Sequence, residues 1–301
     1  MFRCIHSGFA GDHIRILAGT SNKALSENLS GILDAKMIRR EIERFPDREV
    51  YIRVLEDIKD HDVAVIQSTY PDDNAVEFLL LARLAKDLGA RRVIGVVPYF
   101  GYARQDRVFK EGESFSARTM ADHLEMDLDH IVCVNLHKEA TLGEFRNLKS
   151  SSNVSVMRVI GRFLKSAKVD HVLSPDKGAV NYARETAEVL GADFDHLEKT
   201  RIDGDTVEVA PKELDVAEKK VCIVDDMIAT GGTIYRAQEA LRKQGAKEVY
   251  ACCAHGLFTN DGIGRLEPVL DGLFSSDTLE NPTSAFSAAG PIAEKLEEIL
   301  K

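Results

Sequence analysis

The stretch that decides the fold runs from Val221 to Thr233, VCIVDDMIATGGT. Its first residues are apolar and β-branched, the composition of a buried strand. Asp225 and Asp226 stand at the end of that strand, followed by Thr230, Gly231, Gly232 and Thr233. A helical pattern then runs from Ile234 to Gln244 and stops at Gly245. Strand, paired acids, glycine turn and helix start together describe a phosphate site. Amides at a helix N-terminus point at an anion, and glycines let the backbone approach it closely. The neighbouring acids can hold hydroxyls or a hydrated Mg²⁺. A glycine pair after a strand is also a common tight turn, and a lone Asp there is often a helix cap. The full string is far more specific than either part, and a sugar phosphate fits both halves of it.

The chain has 301 residues, enough for two domains of ordinary size. It is 44% hydrophobic and 29% charged, a soluble globular profile. The formal charge of −10 argues against general binding to nucleic acid or an anionic membrane, although a local basic pocket is compatible with it. The five cysteines, Cys4, Cys133, Cys222, Cys252 and Cys253, show no metal-ligand spacing. Four of them lie in apolar strand-like runs, so buried free thiols in a reducing compartment are expected. Met1 to Ala10 lacks a signal-peptide core, and no apolar run approaches membrane-spanning length. A cytoplasmic protein is the expectation.

Outward from the central stretch, strand and helix signals alternate along the chain. Ile14 to Ala18 reads as a strand, with Ser21 able to cap a helix from Asn22 to Leu33. Phe45 to Glu49, FPDRE, reads as a proline turn before an alternating strand from Val50 to Leu55. Val63 to Gln67 is a strand, Ser68 to Asn74 a polar loop, and Ala75 to Leu88 a helix that stops at Gly89. Gly89-Ala90 leads into a strand at Val93, as Gly245-Ala246 leads into one at Val249. This points to two copies of one βαβ design, the first without the glycine turn. The fold class is therefore α/β, with a mostly parallel sheet flanked by helices in each half.

Other candidate residues also follow strands, where open α/β sheets bind ligands. Pro98 to Arg107, PYFGYARQDR, interleaves aromatics with Arg104 and Arg107, a pattern suited to a base and phosphates. A half-buried aromatic cluster with surface charges gives the same pattern. His137 follows the strand Ile131 to Val134. The Ser-rich segment Asn147 to Asn153 is the expected linker, dividing the chain into domains 1–150 and 151–287. Asp176, Lys177, Gly178 and Ala179 lie between a strand and a helix beginning at Val180, which suits a diphosphate or a simple capped helix start. Glu198 to Asp205, with Lys199 and Arg201, reads equally well as a mobile charged flap and as a solvated hairpin tip. Ala288 to Leu300 is a terminal helix.

The TGGT string resembles the phosphoribosyl-diphosphate (PRPP) motif of the type I phosphoribosyltransferase superfamily. Together with FPDRE, VPYFGYARQDR, SPDKGA and LEKTR, in this order over nearly the whole chain, it is similar to the ribose-phosphate pyrophosphokinase family. IQSTYPDDN and SPDKGA look like the wording of its archaeal branch. The resemblance implies two phosphoribosyltransferase-like domains related by internal duplication, with helix 288–301 packing back on the N-terminal one. It implies diphosphoryl transfer from ATP to ribose 5-phosphate, with Mg²⁺ as cofactor. Carried residue by residue, it implies that Arg104, Gln105, Asp106, Arg107 and His137 bind ATP. Lys199 and Arg201 become the catalytic flap. Asp225, Asp226, Thr230, Gly231, Gly232 and Thr233 hold ribose 5-phosphate. Asp176 to Ala179 form the diphosphate loop, and His137 and Asp176 lie near the metal. Phe45, Asp47 and Glu49 match a loop that reaches the adenine pocket of a neighbouring subunit, which implies a homo-oligomer. Arg48 departs from the family, which usually has Gly there. Two rival readings stand beside this one. A phosphoribosyltransferase that consumes PRPP leaves YARQDR and the duplication unexplained, and a non-catalytic regulatory paralogue leaves the intact flap and acids unexplained.

Overall fold

Near-continuous apolar runs such as Asp62–Ile66, DVAVI, are buried on both faces, as strands of a parallel sheet between helices must be. The computed structural model describes residues 14–201, 207–210 and 214–301. Cys4, the Met1–Ala10 segment and half of the proposed flap lie outside them. The chain divides into two compact units, one of residues up to Val154 together with Ala288–Lys301, the other Ser155–Ser287.

In the first unit the elements run β1 (Ile14–Ala18), α1 (Lys23–Leu33), β2 (Lys36–Met37), β3 (Arg40–Arg44), β4 (Val50–Val54), β5 (Asp62–Ile66), α2 (Asp72–Asp87), β6 (Arg92–Val97), α3 (Ser116–Leu124), β7 (His130–Val134) and β8 (Ser150–Val154). Six of these strands form a sheet in the order β2-β1-β5-β6-β7-β8, every pair parallel. β3 and β4 form a separate antiparallel hairpin.

The second unit runs α4 (Met157–Leu164), β9 (His171–Ser174), α5 (Val180–Leu190), β10 (Asp193–His196), β11 (Glu198–Arg201), β12 (Val207–Ala210), β13 (Lys220–Ile228), α6 (Gly232–Lys243), β14 (Glu248–Gly256), α7 (Gly262–Leu266), β15 (Gly272–Ser276) and β16 (Ser284–Phe286). Its parallel sheet has the order β10-β9-β13-β14-β15-β16. Numbered within its own unit, each sheet runs second, first, third, fourth, fifth, sixth. Each unit also inserts an antiparallel hairpin between its second and third sheet strands, β3–β4 in one and β11–β12 in the other. The duplication is thus visible as shared topology. The last helix, α8 (Ala289–Leu300), buries Ile292, Ala293 and Leu296 and packs on α1, β7 and β8 of the first unit.

Several elements differ from the pattern reading. The Ser-rich segment is an edge strand rather than a loop, because its polar side chains find partners. Ser150 Oγ lies 2.7 Å from His130 Nδ1, and Asn153 Oδ1 accepts from the Leu136 amide at 2.9 Å. Ser21 does not cap α1; its hydroxyl donates to Gln67 Oε1 at 2.7 Å, and Asn22 stands at the cap position. α2 starts at Asp72 rather than Ala75, with Asp72 and Asp73 in the first turn where the helix dipole favours anions. β13 runs on through Asp225 and Asp226 to Ile228, because β14 extends alongside it to Gly256.

Each unit has its own apolar core, with Leu17, Val65, Phe78 and Ile131 central to the first and Ile223, Leu241 and Ala251 to the second. Cys133, Cys222, Cys252 and Cys253 are buried free thiols, and burial raises the pKa of Cys133, Cys252 and Cys253. Among the described residues no helix is long and apolar enough to cross a membrane.

A buried ion cluster fastens α8 to the first sheet. Asp62 is fully buried and accepts from Arg91 and Arg92, with closest contacts of 2.6 Å to each. Arg92 also donates to the Ile299 carbonyl on α8 at 2.9 Å. Burial alone would raise the pKa of Asp62, but the two guanidinium groups outweigh it and hold the carboxyl at about 2. Its folded pKa is below its unfolded one, so its stabilisation is full above the unfolded pKa and fades as pH falls toward about 2. Asp62→Asn is expected to cost about 2 kcal/mol at pH 7 in urea unfolding. The gap from the parent protein should narrow in acid, and a pH-independent gap would assign the loss to packing instead.

Candidate active site

The glycine turn, Thr230 to Thr233, sits where α6 leaves β13. Gly231 has φ 78°, the left-handed region that favours glycine, and a Cβ there would meet the Leu266 side chain at 2.8 Å. Gly232, the first residue of α6, faces open space apart from Thr230 Oγ1 at 3.8 Å. No side chain caps this helix. Its first amides have no intrahelical acceptor, so they are free to bind an anion. Arg265 of α7 donates to the Thr230 carbonyl at 3.0 Å and, with Leu266, braces the turn from behind. Arg265 was not apparent from the sequence, because its role depends on a contact between elements thirty-five residues apart.

The two acids lie near the C-terminal end of β13, just before its last paired residues, Met227 and Ile228. The Asp225 carboxylate accepts from the Asp226 amide, and the Asp226 carboxylate from the Met227 amide, both at 2.9 Å. Asp226 is buried and Asp225 half-buried. Burial raises the pKa of Asp225 well above the usual carboxylate range, and the charge of Asp226 and then of Asp176 pushes it further. The structure therefore brings Asp176, Asp225 and Asp226 into one electrostatic neighbourhood. Asp176 also caps the turn that leads into α5, accepting from the Gly178 amide at 2.9 Å. Lys177 and Gly178 are exposed and Ala179 is buried. Among the described residues no three His, Cys, Asp or Glu side chains form a closed metal cage. An open, oxygen-donor site with repelling carboxylates fits Mg²⁺, which keeps waters and substrate oxygens among its ligands.

Lys199 and Arg201 are on β11, paired with Val209 and Val207 of β12. The two strands form an antiparallel hairpin. Ile202 to Asp205, the rest of the proposed flap, lie outside the described residues.

In the first unit the YARQDR loop leaves β6. Gly101 allows its close approach to the β5–α2 loop, because a Cβ there would lie 2.6 Å from the Thr69 carbonyl oxygen. The Gly101 amide donates to Thr69 Oγ1 at 2.7 Å, and the Tyr102 hydroxyl to Asp72 at 2.8 Å. Arg104 and Arg107 are exposed, with Arg107 lying 4.8 Å over the Phe109 ring. Gln105 donates within its own loop, to the Arg107 carbonyl at 3.1 Å and Glu113 at 3.2 Å. Asp106 and His137 are half-buried. Thr69, Asp72 and Glu113 shape this loop, and no local sequence signal marked them.

Phe45, Asp47 and Glu49 form the exposed tip of the β3–β4 hairpin. Phe45 packs edge-on against Tyr51, and the two line a shallow cavity of about 260 Å³ with Glu43 and Arg44. Arg48 has φ 75°, which is the physical reason a glycine suits this position. The turn still closes, with the Arg48 amide donating to the Phe45 carbonyl at 2.8 Å and the Phe45 amide to Glu49 at 2.9 Å.

Comparison with known proteins gives one consistent result. Residues 14–127 match the N-terminal domain of ribose phosphate pyrophosphokinase, and residues 153–290 the phosphoribosyl transferase domain. A ribose-phosphate pyrophosphokinase of Methanopyrus kandleri is 40% identical over 290 residues, covering 94% of this chain and 99% of that one. The enzyme of that name from Thermococcus kodakarensis is 41% identical, over 93% of this chain and 99% of its own. The crystal structure of phosphoribosylpyrophosphate synthetase from Mycobacterium smegmatis superimposes with a TM-score of 0.82 at 27% identity, covering 96% of this chain and 99% of that one.

The repulsion at Asp225 has a measurable sign. A carboxyl whose folded pKa is raised destabilises the fold as pH rises through that pKa, when it must carry its charge. Asp225→Asn is therefore expected to raise the melting temperature of the metal-free protein more at pH 8 than at pH 5. It should also reduce the stabilisation given by Mg²⁺. An unchanged melting profile would separate Asp225 from the acidic cluster.

Proposed function

The chain belongs to the ribose-phosphate pyrophosphokinase family, and we propose how its own residues divide that reaction. The enzyme transfers the β,γ-diphosphoryl group of ATP to the C1 hydroxyl of ribose 5-phosphate, giving 5-phosphoribosyl 1-diphosphate and AMP. The observation that carries the site assignment is the uncapped, glycine-opened N-terminus of α6 directly after two acids. The amides of Thr230 to Thr233 bind the 5-phosphate, and Asp225 and Asp226 accept from the ribose hydroxyls. This fixes the sugar at both ends and orients its C1 oxygen, the alignment on which diphosphoryl transfer mainly depends.

Arg104 and Arg107 bind the ATP phosphates, with Gln105, Asp106 and His137 completing the nucleotide site. Lys177, Gly178 and Ala179, following Asp176, receive the diphosphate. Lys199 and Arg201 place positive charge on the transferring group as negative charge builds there. Asp176 of the second unit and His137 of the first are the candidate Mg²⁺ ligands, and the ion would neutralise phosphate charge. Phe45, Asp47 and Glu49 contact adenine in a neighbouring subunit, so self-association completes the site. The buried free thiols support a reducing, cytoplasmic setting.

The decisive assay supplies ATP, ribose 5-phosphate and Mg²⁺ with no nucleobase. Equal amounts of AMP and PRPP are expected. PRPP consumption that requires a base would overturn the assignment in favour of a phosphoribosyltransferase, and ATP binding without turnover would favour a regulatory protein. Lys199→Ala and Arg201→Ala should each lower the turnover number by about 10²- to 10³-fold, with far smaller changes in the Michaelis constants. Unchanged turnover would remove the flap from the chemistry.

A further inference from the structure

Asp73 and Glu77 stand one turn apart on α2 and so share a helix face. Asp73 is tied to the β3–β4 hairpin directly, and Glu77 through the turn after β1. Near the hairpin tip, Asp73 meets Arg44 and Arg48, each at 3.4 Å. These side chains are largely exposed, and such pairs contribute little. At its root the arrangement is different. Glu77 is wholly buried, and its carboxylate accepts from the Thr20 amide at 2.7 Å and the Thr20 hydroxyl at 2.8 Å. The carbonyl of the preceding residue, Gly19, accepts from Arg40 Nη2 at 3.1 Å. Gly19 has no room for a side chain, since a Cβ would lie 2.7 Å from Glu77 Oε1.

Arg40 is the first residue of β3. Arg40, Ile42 and Arg44 alternate onto one face of that strand, and Ile42 packs against the core of the unit. Burial lowers the pKa of the Arg40 guanidinium, and the Glu77 charge opposes that shift. Arg40 Nε is buried without a hydrogen-bond partner, so the hairpin root depends on its remaining contacts.

The duplication says what this carboxylate replaces. The helices α2 and α6 both end at a Gly-Ala pair, Gly89-Ala90 and Gly245-Ala246. Twelve residues before each glycine stand Glu77 and Thr233. In the second unit that position belongs to the phosphate turn. In the first it carries an anion of the protein's own, fixed against the turn after β1.

We propose that Glu77 is a positioning residue, which clamps the Gly19–Thr20 turn, balances Arg40, and so sets the root of the hairpin that presents Phe45, Asp47 and Glu49 to adenine. The proposal rests on the adenine role given to that tip under Proposed function. It predicts a defect confined to one substrate, because the sugar phosphate is held by residues of the other unit.

The test is steady-state kinetics on the full-length enzyme with Mg²⁺, comparing Glu77→Gln, Arg40→Gln, Asp73→Asn and Phe45→Ala. Glu77→Gln is expected to raise KM for ATP at least about tenfold, as misplacement of a binding group does, with KM for ribose 5-phosphate within about twofold of the parent. Arg40→Gln should reproduce that split, and the double variant should add little to either single change. Asp73→Asn should leave both constants within about twofold. Should Glu77→Gln fail to fold, the half-exposed Arg40→Gln carries the same readout. Equal changes in both Michaelis constants, or none, would overturn the proposal. A normal KM for ATP in Phe45→Ala would instead sink the adenine assignment, while a Phe45→Ala defect beside a normal Glu77→Gln would sink only the role of Glu77.

Discussion

Parallel strands cannot be joined by tight turns; each pair needs a crossover, and here most crossovers contain a helix. This constraint delivers the starts of the helices to one edge of each sheet, beside the carboxyl ends of the strands. The proposed site residues are arranged along those edges. α6 arrives at the end of β13 with an uncapped glycine turn, and α5 arrives after β9 behind the Asp176 turn. The loop carrying Arg104 to Arg107 leaves β6 at the equivalent edge of the first unit.

The same edge is used differently in the two units. In the second, Asp225 and Asp226 repel one another beside an open helix terminus, a costly arrangement that a cation and a polyhydroxyl ligand would relieve. In the first, several of the corresponding polar groups pair internally. Glu77 takes the Thr20 amide and hydroxyl, Gln67 takes Ser21, and the Ser68 amide donates to Asn22. Where the first unit lacks the glycine turn, its own hydrogen bonds occupy the place, as buried polar groups require. The hairpins occupy the same place in both topologies but carry different side chains. One presents Phe45 at its tip, and the other carries Lys199 and Arg201.

Much of this was legible in the sequence because the relevant signals are local. β1, α5 and most sheet strands follow from apolar runs ended by glycine or polar turns. The duplication follows from Gly89-Ala90 and Gly245-Ala246 alone. Local composition misleads where tertiary partners override it. The segment Ser150–Val154 looks like a linker because its residues are polar, yet a neighbouring strand and His130 satisfy them. Ser21 looks like a cap because of its position before a helix, yet Gln67 takes its hydroxyl from across the sheet.

The amino-acid order by itself determined the α/β class, the two copies, and which residue types line the glycine turn after β13, since propensity, period and glycine placement act between near neighbours. Tertiary structure alone decided that Arg265 and Leu266 brace that turn, that Arg48 sits in a backbone region suited to glycine, and that Arg92 ties the last helix to the first sheet. It also decided that Glu77 is an internal anion. Each of these depends on atoms brought together from distant parts of the chain or on a dihedral angle set by the surrounding fold, and neither leaves a periodic trace in the sequence.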